Sequence, residues 1–301
     1  MVLQEVLAIE VTTAAVRCIR LGGVGPGRRI RAYAERSLPP GLLTPSHSEP
    51  NVRDEASFAR LLADVVGARP PARARLVLPD TSARLRVLFT YEGPAGGPDL
   101  QKFLLWRLHD ALPFTARDAR VAFVAAPDGL PTRRVAITLV ARNHVLAQYE
   151  RLLGSLGIAV VHAAPAACHL FNLVARTGEA SGDTTHALLN LAPGSATLIL
   201  CQRGVPHYAR TFPWPDAGPH AALGTELFRT FEHAADTAGL AAPAILWLAG
   251  DVGPSPTSAS ELSKTIGIPC HNIPLPGRLA WEGRPLPPEA SAALSAALAR
   301  L

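Results

Sequence analysis

The chain has 301 residues, 48% hydrophobic and 18% charged, which is long enough for two cored domains and too apolar for a disordered tail. Its formal charge of +5 rests almost wholly on arginine, since Lys102 and Lys264 are the only lysines, and no run of five like charges occurs. With aromatics at 6% there are few stacking platforms, so nucleic acid is not expected as a partner. Cys18, Cys168, Cys201 and Cys270 form no CxxC pair and suit neither a zinc ribbon nor a disulfide framework. Cys18 and Cys201 fall in strand-like runs, where a free thiol acts as a small hydrophobe in a reducing compartment. No charged-then-apolar leader opens the sequence, so no signal peptide is expected. The most apolar long stretch, 156–175, contains His162, Pro165, His169 and Asn172 and does not read as a membrane span.

In chain order, three strands come first, Val6–Val11, Ala14–Leu21 and Ile30–Leu38. Gly22, Gly23, Gly25 and Gly27 look like half of a dinucleotide fingerprint, but a strand follows them where the phosphate-cradling geometry needs a helix, so a hairpin turn is expected. A Pro/Ser/His loop leads to an amphipathic helix over Asp54–Val66, with Asp54 as its N-cap. Strands Arg75–Leu78 and Arg84–Thr90, helix Asp99–Ala111, strands Ala119–Ala125 and Val135–Ala141, helix Asn143–Leu156, strand Ile158–His162 and a proline-opened helix Pro165–Arg176 complete the first half. The second half restarts with three strands, His186–Leu191, Ser195–Gln202 and Val205–Phe212. Helix Thr225–Ala238, strand Ala244–Ala249, helix Ser258–Ile266, strand Ile268–Ile273 and helix Pro288–Arg300 follow. LAIEVTTAAVRCIRL and LLNLAPGSATLILCQ set the same strand, polar turn and strand side by side, with Glu10 opposite Asn190. Two such meanders, each followed by helices and further strands, indicate a duplicated α/β architecture. His162 and His169 flank a helix without a third ligand at suitable spacing, and no metal site is expected there. Glu232, His233 and Asp236 read as a solvated helix face, and no G-x-S-x-G elbow occurs.

The duplicated pattern resembles the actin/Hsp70/sugar-kinase fold, and the block from Arg75 to Ala141 resembles the subdomain shared by FtsA and PilM. Three phrases sharpen the resemblance to the PilM-type family of type IV pilus assembly proteins: LQKFLLWRLHDALPFTARDARVAFV, VAITLVARNHVLAQYERLLGSLGIAVVHAAPAACHLFNLV and AILWLAGDVG. The likeness runs along almost the whole chain at the level of pattern and is most specific over 100–176. It implies residues 1–74 as the core of lobe I, completed by 142–180, then an inserted subdomain over 75–141. Residues 181–301 become a lobe II lacking most of its helical subdomain, because little separates Phe212 from Thr225. The cytosolic domain of the secretion protein GspL shares this architecture and is an alternative, as is an actin-fold ATPase or small-molecule kinase.

The resemblance also implies a nucleotide site. In active actin-like ATPases two hairpins clamp phosphates through turn N–H groups, and carboxylates hold Mg²⁺ through water. Here the corresponding positions are Glu10, Thr12, Thr13 and Arg17 in the first hairpin, Asn190, Gly194 and Ser195 in the second, and Gly250 in the adenosine motif. Thr12 stands where a glycine is usual, Asn190 replaces an aspartate, Pro193 removes a donor, and Asp251 replaces a second glycine. A nonhydrolysing scaffold is therefore expected, with no cofactor or only weakly bound ATP with Mg²⁺, no metal site and no catalytic residue. Its implied partner is a PilN-like bitopic inner-membrane protein, whose cytosolic N-terminal peptide would lie between lobe I and the insert. Through it the chain would reach the pilus platform and its motor ATPases, remaining cytoplasmic at the inner membrane. The walls expected for that groove are the Ala14–Leu21 hairpin, Val87 and Leu88 on Arg84–Thr90, and Phe103 on the following helix.

Overall fold

The structure, a computed structural model, describes residues 5–23, 27–91, 94, 97–127, 134–176, 182–215, 220–250, 256–275 and 279–299. Strands β1 (Val6–Val11), β2 (Ala15–Gly22) and β3 (Arg29–Ser37) form an antiparallel meander. β4 (Arg73–Leu78) and β8 (Ala159–Pro165) add to it in parallel, giving sheet I the order β3-β2-β1-β4-β8. β9 (His186–Ala192), β10 (Ser195–Gln202), β11 (Val205–Pro213), β12 (Ile245–Gly250) and β13 (Cys270–Asn272) repeat that plan in sheet II, order β11-β10-β9-β12-β13. The meanders arise because short polar turns separate apolar runs, while the parallel strands need helical crossovers.

Those crossovers build five layers. α1 (Glu55–Val66) and α3 (Asn143–Gly154) cover the outer face of sheet I, burying Phe58, Leu62, Tyr149 and Leu153 against Leu7, Ile9 and Leu76. Asp54 caps α1 by accepting from the N–H groups of Ala56 and Ser57, and its first turn packs accordingly. α5 (His220–Ala238) and α6 (Pro256–Ile266) cover the outer face of sheet II. Between the sheets lie α4 (Ala166–Ala175) and α7 (Ser291–Leu298), packed against residues of both. All eight residues of α7 are buried, as an Ala/Ser/Leu helix permits when two sheets approach closely on either side. Its C-terminal carbonyls, orphaned by helix geometry, accept from arginines. Arg75 Nη1 reaches Ala296 O at 2.7 Å and Ala299 O at 2.6 Å, and Arg28 and Arg176 each reach Leu298 O at 3.0 Å.

A third sheet, order β5-β7-β6, is built from β5 (Arg84–Tyr91), β6 (Ala119–Pro127) and β7 (Arg134–Arg142), with α2 (Gly97–Leu108) packing Leu100 and Leu104 on Ala136. Residues 214–219 alone connect β11 to α5, which leaves lobe II without room for a helical subdomain at that place. Several boundaries differ from expectation. β8 runs past His162 to Pro165, which pairs with Leu78 and also serves as the N-cap of α4; an edge strand tolerates proline because one side of its backbone needs no partner. α5 starts at His220, before Thr225, and a 3-10 turn, Pro288–Ala290, precedes α7. The two-residue strands β14 (Ala280–Trp281) and β15 (Arg284–Pro285) form a hairpin the sequence pattern does not signal. The glycine-rich stretch joins β2 to β3 as a hairpin, with residues 24–26 outside the described residues.

Candidate functional site

The duplicated topology places the two hairpins expected as clamps in equivalent positions. Glu10 pairs with Arg17 across β1 and β2, and Asn190 pairs with Thr197 across β9 and β10. Glu10 is 3% exposed and faces the Arg17 guanidinium, 3.8 Å away, which also sits 3.3 Å from Glu35 and donates to Glu289 O. The carboxylate expected to hold Mg²⁺ is thus buried beside an arginine. A cation there would have to displace or share with that guanidinium.

The first turn is closed on itself. The Thr12 hydroxyl accepts from the N–H groups of Ala14 at 3.2 Å and Ala15 at 3.0 Å, while Thr12 N–H donates to Ala15 O. Those N–H groups are the donors a phosphate clamp would offer, and here a side chain consumes them. Thr13 is half-buried beside them.

The second clamp is tied to lobe I. Asn190 Nδ2 donates to Asp80 Oδ2 at 2.8 Å, and Asp80 Oδ1 accepts from Ala167 N–H at the start of α4 at 2.8 Å. Thr197 hydrogen-bonds the same carboxyl group, and its hydroxyl lies 3.0 Å from that of Thr211. Burial pushes the Asp80 carboxyl up, against the pull of the Ala167, Asn190 and Thr197 donors. Asp80 was not singled out by sequence reading: it lies in the 3-10 turn Asp80–Ser82, 110 residues from Asn190, with no periodic signal. Ser195 is buried, and Gly194 is exposed with φ of 81° in the turn. Gly250 has φ of 114°, and a Cβ there would lie 2.0 Å from Leu191 O; close packing on β9 by itself requires the glycine. Asp251 lies outside the described residues.

The expected groove walls separate. β2 runs between β1 and β3, enclosed on both sides. Leu88 and Phe103, each half-buried, pack against the insert's core of Leu100, Leu104 and Ala136. Val87 faces the other way, lining a cavity with Arg86, Tyr208, Arg210 and His233 between β5 and lobe II. A groove between lobe I and the insert does exist, on the opposite side. It holds roughly 180 Å³ and is lined by β8 from Val160 to Pro165, Leu146 and Glu150 of α3, Arg120 and Ala122 of β6, and Leu139 and Ala141 of β7. Arg120 is hydrogen-bonded to Glu150 in it. β8 and β6 are both edge strands of their sheets. The topological signal for this was available, because the last strand added to such a sheet lies at its rim.

His162 and His169 do meet, with ring centroids 5.4 Å apart in a T-shaped contact. Burial, His162 and Arg75 push His169 down to about 3, so its imidazole is neutral at pH 7. Among the described residues no group of three or more His, Cys, Asp or Glu could hold a metal, and no helix is long and apolar enough to cross a membrane. Glu232, His233 and Asp236 are exposed on α5.

No family model matches the chain, and no curated protein matches it in sequence. Solved structures do. A chain of a PilM–PilN type IV pilus biogenesis complex is similar over 98% of each chain, at 19% identity and a TM-score of 0.79. A Bacteroides thetaiotaomicron protein with an actin-like ATPase fold and unknown function is 11% identical over 90% of this chain and 91% of its own, with a TM-score of 0.57. The cytoplasmic domain of EpsL, an inner-membrane component of the type II secretion system of Vibrio cholerae, is 11% identical over 98% and 95%, with a TM-score of 0.53. The fold is the actin-like, two-lobed α/β fold.

Proposed function

We propose that this chain is a nonhydrolysing scaffold of a type IV pilus inner-membrane platform, held at the cytosolic face by an extended peptide from a PilN-like bitopic membrane protein. The groove beside the open edge of β8 carries the reading. An extended segment can add main-chain hydrogen bonds to that edge, while alternate side chains face the apolar wall of Ala122, Leu139 and Leu146. The closed first turn and the Asn190–Asp80 tie support a scaffold over an ATPase, since both remove groups a phosphate or Mg²⁺ would need. Micromolar binding corresponds to about 8 kcal/mol, within reach of several strand hydrogen bonds and a few anchored apolar side chains after ordering costs.

The test is calorimetry with the cytosolic N-terminal peptide of the membrane protein encoded beside this gene, on the whole chain and on Ala122→Glu. Ala122 is exposed and lines the groove, so the substitution changes the wall without touching a core. Binding reduced more than tenfold is expected. Equal binding by the variant moves the peptide elsewhere, and Mg²⁺-dependent ATP hydrolysis by the parent chain would replace the scaffold reading with an enzyme.

A further inference from the structure

Away from both clamps, at the N-terminal ends of the parallel strands β1, β4 and β8, lies an open cavity of roughly 390 Å³. It touches Glu5, Val6 and Leu7, whereas Glu10 sits at the other end of β1, so the cavity is separate from the nucleotide position. Its walls carry Arg28, Arg73 and Arg75, with Ala299 at one side, and Glu5 is the one carboxylate among the described lining residues. Arg176 joins the cluster by sharing Leu298 O with Arg28.

The cluster exceeds what its visible partner requires. A helix C-terminus presents about half a negative charge, and one nearby cation commonly suffices. Here three guanidiniums converge on the last carbonyls of α7, and Arg73 adds a fourth at the cavity wall. Arg75 is only 4% exposed, and among the described residues its hydrogen bonds leave from Nη1. Arg28 likewise bonds Leu298 through Nη1. Each guanidinium has five N–H donors in a planar fork, and among the described residues these bonds leave the other edges of Arg28 and Arg75 for an oxyanion. Burial, then Arg28 and Arg176, push the Arg75 guanidinium down. His162, beside Arg75 in the β4–β8 register, contributes no negative charge.

We propose that this cavity is a binding site for a phosphate group, gripped by Arg28, Arg73 and Arg75. Forked guanidiniums match the oxygens of a phosphate in paired hydrogen bonds, and the volume leaves space for a small organic group attached to it. The phosphate can belong to a soluble phosphorylated compound or to an anionic lipid headgroup, and the two sources separate experimentally.

The measurement is titration of the whole chain with inorganic phosphate at low ionic strength, followed by calorimetry and by ³¹P linewidth. Flotation with vesicles of phosphatidylcholine alone, or with phosphatidylglycerol added, runs beside it. Arg73→Ala is the main variant, because Arg73 is exposed and takes no part in capping α7. Arg28→Ala is the second, and Arg203→Ala, on the far lobe and paired with Asp183, is the control. Phosphate binding weakened at least tenfold by Arg73→Ala and by Arg28→Ala, and unchanged by Arg203→Ala, supports the site. Flotation that needs phosphatidylglycerol and is lost in Arg73→Ala assigns the lipid source; phosphate binding without flotation assigns the soluble one. The proposal is overturned if inorganic phosphate does not bind, or if both cavity variants bind it as the parent does.

Discussion

Asn190→Asp puts an acid where the family resemblance expects one, and the structure predicts that it will harm the protein. The new carboxylate would stand where Asn190 Nδ2 now donates to Asp80 at 2.8 Å, with Asn190 and Asp80 exposed by 2% and 4%. Two charges at that distance repel by about 6 kcal/mol even at an effective dielectric constant near 20. The pair can instead share one proton, and holding a carboxyl protonated at pH 7 against an ordinary value near 3.9 costs about 4 kcal/mol. The shared proton is the lower-energy choice, so the expected destabilisation at pH 7 is about 4 kcal/mol, falling to about 1.5 kcal/mol at pH 5. The sign follows from proton counts: the folded variant keeps a proton that the unfolded chain releases above about pH 4, so its deficit grows as pH rises. Urea unfolding followed by circular dichroism at pH 5 and pH 7 measures both numbers. Equal stability of variant and parent at pH 7, or a gain of Mg²⁺-ATP binding, would refute the reading of the Asp80–Asn190 tie as structural.

Neutral, buried His169 makes the parent chain lose stability as pH falls from about 6.5 towards 3, because only the unfolded chain takes up the proton there; His169→Leu should flatten that slope by up to about 1.4 kcal/mol per pH unit. Burial pushes the thiols of Cys18, Cys168 and Cys201 up to about 12 and Cys270 to about 11, so native protein should react with a thiol reagent at pH 8 far more slowly than urea-unfolded protein. Gln148 accepts from the N–H groups of Asn51 and Val52 and donates to Val52 O and Glu55, so Gln148→Leu should cost about 2–4 kcal/mol in chemical denaturation by orphaning buried backbone groups.

The repeated meander was legible because turn chemistry and strand alternation are local, and the equal spacing of Glu10 to Arg17 and of Asn190 to Thr197 marks equivalent pairs in both lobes. What those pairs do was less legible. That Thr12 would deny the clamp its glycine could be read directly, but that its hydroxyl would also occupy the turn's donors depends on a rotamer. The partner of Asn190 comes from a 3-10 turn in the other half of the chain, and a single buried aspartate carries no sequence pattern. Leu88 and Phe103 stand out in the sequence as apolar side chains on β5 and α2, but that each would be half-buried against the insert's core depends on tertiary packing. Pro165 shows the same ambiguity at a boundary, since proline suits both a helix start and an edge strand.

The placement of α7 has a consequence for how the molecule is made. The inner face of sheet I, complete once β8 is synthesised, receives a helix encoded more than a hundred residues later, in contact with β1, β2 and β4. On a ribosome adding about 5–20 residues per second, the part of that apolar face not covered by α4 stays bare for several seconds while sheet II emerges. The nascent chain is then a natural client for chaperones that hold exposed apolar surface. A cut just ahead of Ser291 would lock it in that state, with both lobes built and the seam between them filled by α4 alone of the two helices that share it.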